Sequence, residues 1–155
     1  MSDAYPIEPV DVELVDTKYR TIKTAIPHRD SVATLQRLRD IEPQCMEGQP
    51  PIVWKRAEGA SVWDAWGNRW IDFSSGVLIT NAGHGRAEMV DAIVSQAKEQ
   101  LLTSYCFPHE SRRELVEALQ GVAPRRDDKV MLLSTGSEAT EMSVKLSREH
   151  GRAVG

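Results

Sequence analysis

Cysteine is scarce in this chain. Only Cys45 and Cys106 occur in 155 residues, far apart and in no C-x-x-C or histidine-paired arrangement. That argues against a metal site and makes a reducing cytoplasm the natural setting. Long apolar runs are missing too: none approaches the ~20 residues of a membrane span, and no charged-then-apolar leader opens the chain. The formal net charge of -4 supplies no basic field, so neither nucleic acid nor an anionic membrane is an expected partner. There is no internal repeat and no low-complexity tract. What remains, 41% hydrophobic and 27% charged residues, is ordinary for a soluble globular protein.

The most informative stretch is Lys129–Lys145, KVMLLSTGSEATEMSVK. Val130, Met131, Leu132 and Leu133 form an apolar run without polar alternation, which predicts a strand covered on both faces. Ser134-Thr135-Gly136-Ser137-Glu138 follows, and then a helical pattern through Ala139, Met142 and Leu146. Thr135 and Glu138 have capping-box spacing, which places the helix start at Gly136. A helix start carries unpaired N–H groups and partial positive charge. Gly136 removes the side chain that would hold an anion off, and Ser134, Thr135 and Ser137 add hydroxyls. Strand, small-residue turn and helix N-terminus make a phosphate cradle. Turns of this kind also carry Gly and Ser for the sake of the turn, so on these residues alone both readings stand. No Walker lysine and no G-x-G-x-x-G is present.

A lone parallel strand and helix need neighbours. Only one buried parallel-type strand is evident, so the rest of its sheet is expected outside these residues or from another chain.

Upstream, residues 1–30 are polar and contain Pro6, Pro9 and Pro27; they read as an arm on the surface or on a partner. Asp30 or Ser31 caps a short helix through Val32, Leu35, Leu38 and Ile41, ended by Pro43. Ile52 to Phe73 reads as a strand ladder with turns at Gly59 and Gly67-Asn68. All four tryptophans, Trp54, Trp63, Trp66 and Trp70, fall there and suggest an aromatic mini-core ahead of a ligand platform. A helix is expected from Arg86 to about Leu102 with Met89, Ile93, Ala97 and Leu101 inward. Another runs from about Glu110 to Gly121 with Leu115, Val116 and Leu119 inward. His84, between two glycines before a helix, reads as a turn or capping residue ahead of an acid–base one. His109 reads as a solvated helix start; His28 and His150 carry no signal. No serine has a histidine and an acid arranged locally as a triad.

The ordered blocks VWDAWGNRWIDFSSG, TNAGHG, a long amphipathic helix and LLSTGSEATEMSVKLSRE closely resemble the N-terminal third of class III aminotransferases, over about Pro51 to Arg148. These are pyridoxal 5'-phosphate enzymes of the aspartate-aminotransferase (type I) fold and include the 4-aminobutyrate and ornithine aminotransferases. The resemblance implies an α/β fold. Residues 1–50 would be an arm and short helix, 51–83 a small antiparallel ladder, and 84–155 the start of a large cofactor-binding domain. It implies that Thr135, Gly136 and Ser137 hold the cofactor phosphate. Ser75, Gly76 and Val77 would lie near the substrate pocket, and the Tyr105–Phe107 segment close to the partner subunit's site, with Phe107 at the pocket. Asp64, Gly67 and Asp72 match positions that keep turns in order, and Gly83-His84 the turn into the first large-domain helix.

The expected reaction moves an amino group from an amino acid or amine to a 2-oxo acid, in a homodimer. The family's Schiff-base lysine, its aspartate for the pyridine nitrogen and its usual substrate arginine all lie beyond residue 155. No catalytic residue is therefore assigned in this chain, and Lys129 and Lys145 are no substitutes. These 155 residues alone are expected to be inactive. The alternative is a non-catalytic remnant that binds phosphate or dimerises. An unrelated phosphate-binding domain would leave the three ordered blocks unexplained.

Overall fold

A computed structural model describes residues 4–104 and 106–155. The chain divides into two compact units, residues 1–100 and 101–155.

The first unit is built on a five-stranded antiparallel sheet: β1 (Val15–Asp16), β2 (Thr21–Ile22), β3 (Arg56–Glu58), β4 (Ser61–Trp63) and β5 (Arg69–Ile71), in the spatial order β1-β2-β5-β4-β3. Gly59 supplies a left-handed φ of +58° at the β3–β4 hairpin, and Gly67 one of +91° before β5. Both turns therefore sit where glycine was expected to make them. Val62 lies opposite Trp70 and alternates inward, so only its position in β4 is fully buried.

Two readings of this unit change. Residues 1–30 are not wholly an outlying arm, because β1 and β2 join the sheet and Ile22, 1% exposed, is half of its apolar core with Val62 at 2%. One short apolar residue among polar ones is too weak a pattern to announce a strand. The tryptophans do not form the core. Three of the four work at its rim with a polar partner: Trp66 stacks on His28 at 4.2 Å, Arg56 lies 3.7 Å over Trp63, and Trp54 meets His84 edge-on at 5.9 Å, while Trp70 lies opposite Val62 in the β4–β5 pair. A large ring beside a charged or imidazole group satisfies its quadrupole without full burial.

Polar side chains complete the core. Asn68, 1% exposed, accepts at Oδ1 from the N–H of Lys23 (2.7 Å) and of Thr24 (3.3 Å). Its Nδ2 donates to Thr24 Oγ1 (2.7 Å) and to Asp64 Oδ2 (2.6 Å). Asp64 Oδ1 in turn accepts from the N–H of Trp66 and of Asn68, both at 2.9 Å. Every donor and acceptor of the Asn68 amide is used, and the segment after β2 is thereby fastened to the turn before β5.

α1 (Val32–Ile41) begins after a 3-10 turn at Arg29–Ser31 and ends before Pro43, as expected, but the expected Asp30 or Ser31 cap is not made: Ser31 holds the N-cap position without a side-chain cap bond, its hydroxyl donating instead to the His28 carbonyl at 2.7 Å. α2 (Ser75–Leu78) is a single turn of unusual hand, described below. α3 (Ala87–Lys98) stops short of Leu102, because Gln100 turns left-handed at φ +61°. An apolar cavity of about 150 Å³ lies between α1 and the segment after it, lined among others by Ile7, Leu35, Leu38, Met46, Pro51 and Ile52.

The second unit contains α4 (Glu110–Val122) and α5 (Gly136–Val154). The expected strand at Val130–Leu133 does not form: these residues have no regular structure, and Met131, Leu132 and Leu133 are exposed. A parallel strand is stable only when its N–H and C=O groups are paired, and no described strand lies beside this one. Nor do the helical stripes turn inward, since Met89, Ile93, Leu115 and Leu146 are all exposed. Their apolar period is helical but nothing among the described residues covers it.

The amide network makes a sharp prediction. Asn68→Ala strips partners from two half-buried N–H groups and from Asp64, and should cost about 2–4 kcal/mol in urea denaturation. Trp54→Ala, at an exposed position, should cost under about 1 kcal/mol. Equal losses would show that the tryptophan rim, not the amide, holds the sheet.

Candidate functional site

Two groups of residues carry chemistry. Ser75–Val77 belong to the first unit; Phe107 and the Thr135–Ser137 turn belong to the second.

At the second-unit turn, Thr135 is the N-cap of α5, in extended conformation (φ -139°, ψ 159°), and its Oγ1 accepts from the N–H of Glu138 at 3.1 Å. The Glu138 carboxylate folds back and accepts from the N–H of Ser134 (3.0 Å) and of Thr135 (3.1 Å). The capping box expected from the spacing is complete. The Glu138 carboxylate, which would otherwise crowd an anion at this turn, is withdrawn onto the cap. The N–H groups of Gly136 and Ser137 have no acceptor among the described residues. A Cβ added at Gly136 would meet nothing within 4 Å. Two free amides at the head of a 19-residue helix, beside an open glycine and the Ser137 hydroxyl, are groups that receive an anion. Phe107 is strongly exposed, with its N–H bonded to the Ser104 carbonyl at 2.8 Å. Tyr105 lies outside the described residues.

In the first unit, the chain leaves β5 through Asp72 and enters α2, four residues in the left-handed region: Ser75 (φ +52°), Gly76 (+60°), Val77 (+61°) and Leu78 (+67°). Only the glycine is at ease there, and a β-branched valine is a true outlier; each such residue costs about 1–3 kcal/mol unless its surroundings enforce it. Asp72 provides the enforcement. Its Oδ1 accepts from the Ser74 hydroxyl (2.6 Å) and the Ser74 N–H (2.9 Å), and its Oδ2 from the Gly76 N–H (2.7 Å) and His84 Nε2 (2.7 Å). An ionised carboxylate only accepts, so His84 Nε2 carries the proton. The side chains are 4% and 12% exposed respectively. The Ser74 hydroxyl and then His84, with the two backbone N–H groups, hold the Asp72 carboxyl well below the usual carboxylate range, against the opposing effect of burial.

His84 is anchored by its backbone, which exchanges hydrogen bonds with Gly59 at 2.8 and 2.9 Å. The reading of His84 as a turn residue holds, but its partner twelve positions upstream was not visible in sequence. The nearest signal was that Asp72 and His84 each flank a turn. Beside the pair is a hollow of about 160 Å³ lined by Gly59, Ala60, Ser75, Thr80 and Asn81. Among the described residues no cluster of histidine, cysteine or carboxylate side chains could hold a metal ion. Among these residues, too, no helix is long and apolar enough to cross a membrane.

Comparison with known proteins places these features in a family. The model of the class-III aminotransferase family matches residues 44–155. The chain is 36% identical over 102 residues to acetylornithine aminotransferase of Neisseria meningitidis serogroup A, covering 66% of this chain and 25% of that protein. Ornithine delta-aminotransferase of Plasmodium falciparum superposes with a TM-score of 0.70 at 30% identity, over 80% of this chain and 32% of that one. Taurine:2-oxoglutarate aminotransferase of Bifidobacterium kashiwanohense, solved with pyridoxal phosphate and glutamate, superposes with a TM-score of 0.60 at 31% identity, over 66% of this chain and 23% of that one. The fold is that of the corresponding part of solved aminotransferases, and the chain spans a quarter to a third of the relatives' length.

The Asp72 pocket should be visible in acid. Its carboxyl ionises more readily folded than unfolded, so its stabilisation is full above the ordinary carboxylate value of about 3.9 and is lost as pH falls through and below it. Thermal melts between about pH 3 and 6 should steepen downward at the acid end, and Asp72→Asn should flatten that slope. An unchanged slope in the variant would remove Asp72 as its source.

Proposed function

The chain belongs to the class III aminotransferases, the family whose model spans residues 44–155, and from that premise we propose that it is the N-terminal part of a pyridoxal-phosphate-dependent aminotransferase of the type I fold. The whole enzyme transfers an amino group from an amino acid or amine to a 2-oxo acid and works as a homodimer. The observation that carries this reading is the capped turn at Thr135–Ser137, with its two uncommitted amides. The pyridoxal phosphate and glutamate held by the Bifidobacterium relative support it from the side of the family. Free, exposed Cys45 and Cys106 support a cytoplasmic setting.

The residues present fit the phosphate end of the cofactor. Gly136 and Ser137 offer amides, Ser137 and Thr135 hydroxyls, and Glu138 stays on the cap away from the anion. When bound, pyridoxal phosphate supplies the electron sink that transamination requires. In this reading Ser75, Gly76 and Val77 of the first unit are substrate-pocket residues by the family resemblance, and Phe107 of the second is assigned separately on the same ground. Neither lysine flanking the turn takes the Schiff-base role. Lys129 precedes the turn, and Lys145 pairs with Glu141 at 2.9 Å along α5. Transamination therefore draws on residues outside these 155, and the exposed apolar stripes of α3 and α5 are the faces that the rest of the enzyme covers.

Gly136→Val in the full-length enzyme isolates the phosphate role. A Cβ at this position meets nothing within 4 Å among the described residues, so the apoprotein should melt close to wild type. The branches of the new side chain stand where the anion must come, so cofactor affinity read by absorbance titration should fall about tenfold or more. Undiminished occupancy would refute the phosphate turn. A full-length wild type that binds the cofactor but transaminates no donor would favour a non-catalytic remnant.

A further inference from the structure

We propose that Asp72 and His84 are positioning residues for the substrate: their hydrogen bond is a clasp that holds the left-handed Ser75–Leu78 turn in register with the β3–β4 hairpin. The inference rests on the reading of Ser75–Val77 as part of the substrate approach and adds what sets their geometry.

The mechanical path is continuous. His84 is fixed to the hairpin by two backbone hydrogen bonds with Gly59, and Asp72 by its own N–H to the Ala60 carbonyl at 2.8 Å. The two side chains meet at 2.7 Å, and Thr80 Oγ1 approaches the same ring nitrogen at 3.4 Å. From Asp72 Oδ2 the restraint passes to the Gly76 N–H, in the middle of the turn. Within the turn itself, the Ser74 carbonyl accepts from Leu78 and the Ser75 carbonyl from Ile79 and Thr80. Those bonds would survive loss of the clasp, but they do not tie the turn to the sheet.

The direction of strain gives the clasp its purpose. Three of the four residues, Ser75, Val77 and Leu78, are not glycine and are held where their side chains disfavour the backbone. Such strain persists where the surroundings over-determine it, and here it presents Val77, Leu78 and Ile79 outward. A relaxed turn would move the Gly76 and Val77 backbone by more than substrate binding tolerates.

Asp72→Asn is isosteric but cannot serve both sides. If its oxygen stays with the two Ser74 donors, the new amide nitrogen faces the Gly76 N–H with no acceptor between them, and it holds His84 only if the imidazole moves its proton to Nδ1 so that Nε2 accepts. His84→Ala removes the anchor, whereas His84→Gln can still offer an N–H toward Asp72.

The experiment uses the full-length enzyme with its cofactor. Donor KM, kcat, cofactor occupancy and hydrogen exchange of the 74–80 backbone are read for wild type, Asp72→Asn, His84→Ala and His84→Gln. Val62→Ala is a control of comparable thermal loss away from the turn. Donor KM should rise about tenfold in Asp72→Asn and His84→Ala, with kcat within about threefold, occupancy unchanged and faster exchange over 74–80. His84→Gln should recover most of the KM, and Val62→Ala should leave it unaltered. Were Asp72→Asn not to fold, the His84 pair would decide alone.

An active wild type whose Asp72 and His84 variants keep KM within twofold overturns the clasp and leaves the aminotransferase reading intact. The same KM rise in Val62→Ala overturns it as well, reducing the pair to general stability. A full-length wild type with no transamination overturns the functional reading, and the substrate role with it.

Discussion

Buried polar side chains, more than apolar bulk, hold this protein's sheet together. Ile22 and Val62 are its fully buried aliphatic side chains among the described residues, and burying two such groups contributes only about 3–6 kcal/mol before chain entropy is set against it. Strands of two or three residues cannot supply much more. The Asn68 amide, the Asp64 carboxylate and the Asp72 carboxylate fill the gap by accepting or donating where the backbone has turned away from its own ladder. Each is worth most when every partner is present, so the network is cooperative and its geometry narrow.

That arrangement bears on function. Small sheets with apolar cores tolerate shifts of a few tenths of an ångström, whereas a carboxylate with four donors does not. Asp72 ties strand end, left-handed turn and the His84 loop into one unit, so the Ser75–Leu78 backbone follows from hydrogen-bond valence and not from packing alone. In the second unit the same economy appears at α5. Glu138 and Thr135 satisfy one another's cap and leave two amides, those of Gly136 and Ser137, without a protein partner. A negative side chain at a helix start ordinarily competes with an incoming anion; here it is occupied by the backbone just before it.

The apolar faces of the three-turn and longer helices complete the physical account. α3 and α5 have well-separated stripes, yet Ile93 and Leu146 are open to solvent, and Phe73 is 92% exposed. In relatives that run to three or four times this length there is ample further chain to meet such faces. Val130–Leu133 makes the same point from the strand side, being apolar enough for a buried parallel strand and unpaired without one.

Much of this was legible in the residues. The end of α1, the onset of α4 and the cap of α5 each follow from local chemistry: Pro43 beyond the first, the His109 ring accepting from the Ser111 N–H at the second, and the Thr135–Glu138 capping box at the third. The Gly59 and Gly67 turns follow from the one residue type that accepts their φ, and the family from three ordered blocks. Other features were decided only in three dimensions. The Lys23 and Thr24 partners of Asn68 lie more than forty positions away and the His84 partner of Asp72 twelve, distances at which sequence spacing has no geometric meaning until a sheet brings the segments together. Whether an apolar run becomes a strand depends on a neighbour to bond it, and whether a tryptophan is core or rim depends on what stacks against it. Local propensity is a property of a few adjacent residues; hydrogen-bond satisfaction and burial belong to the assembled surface.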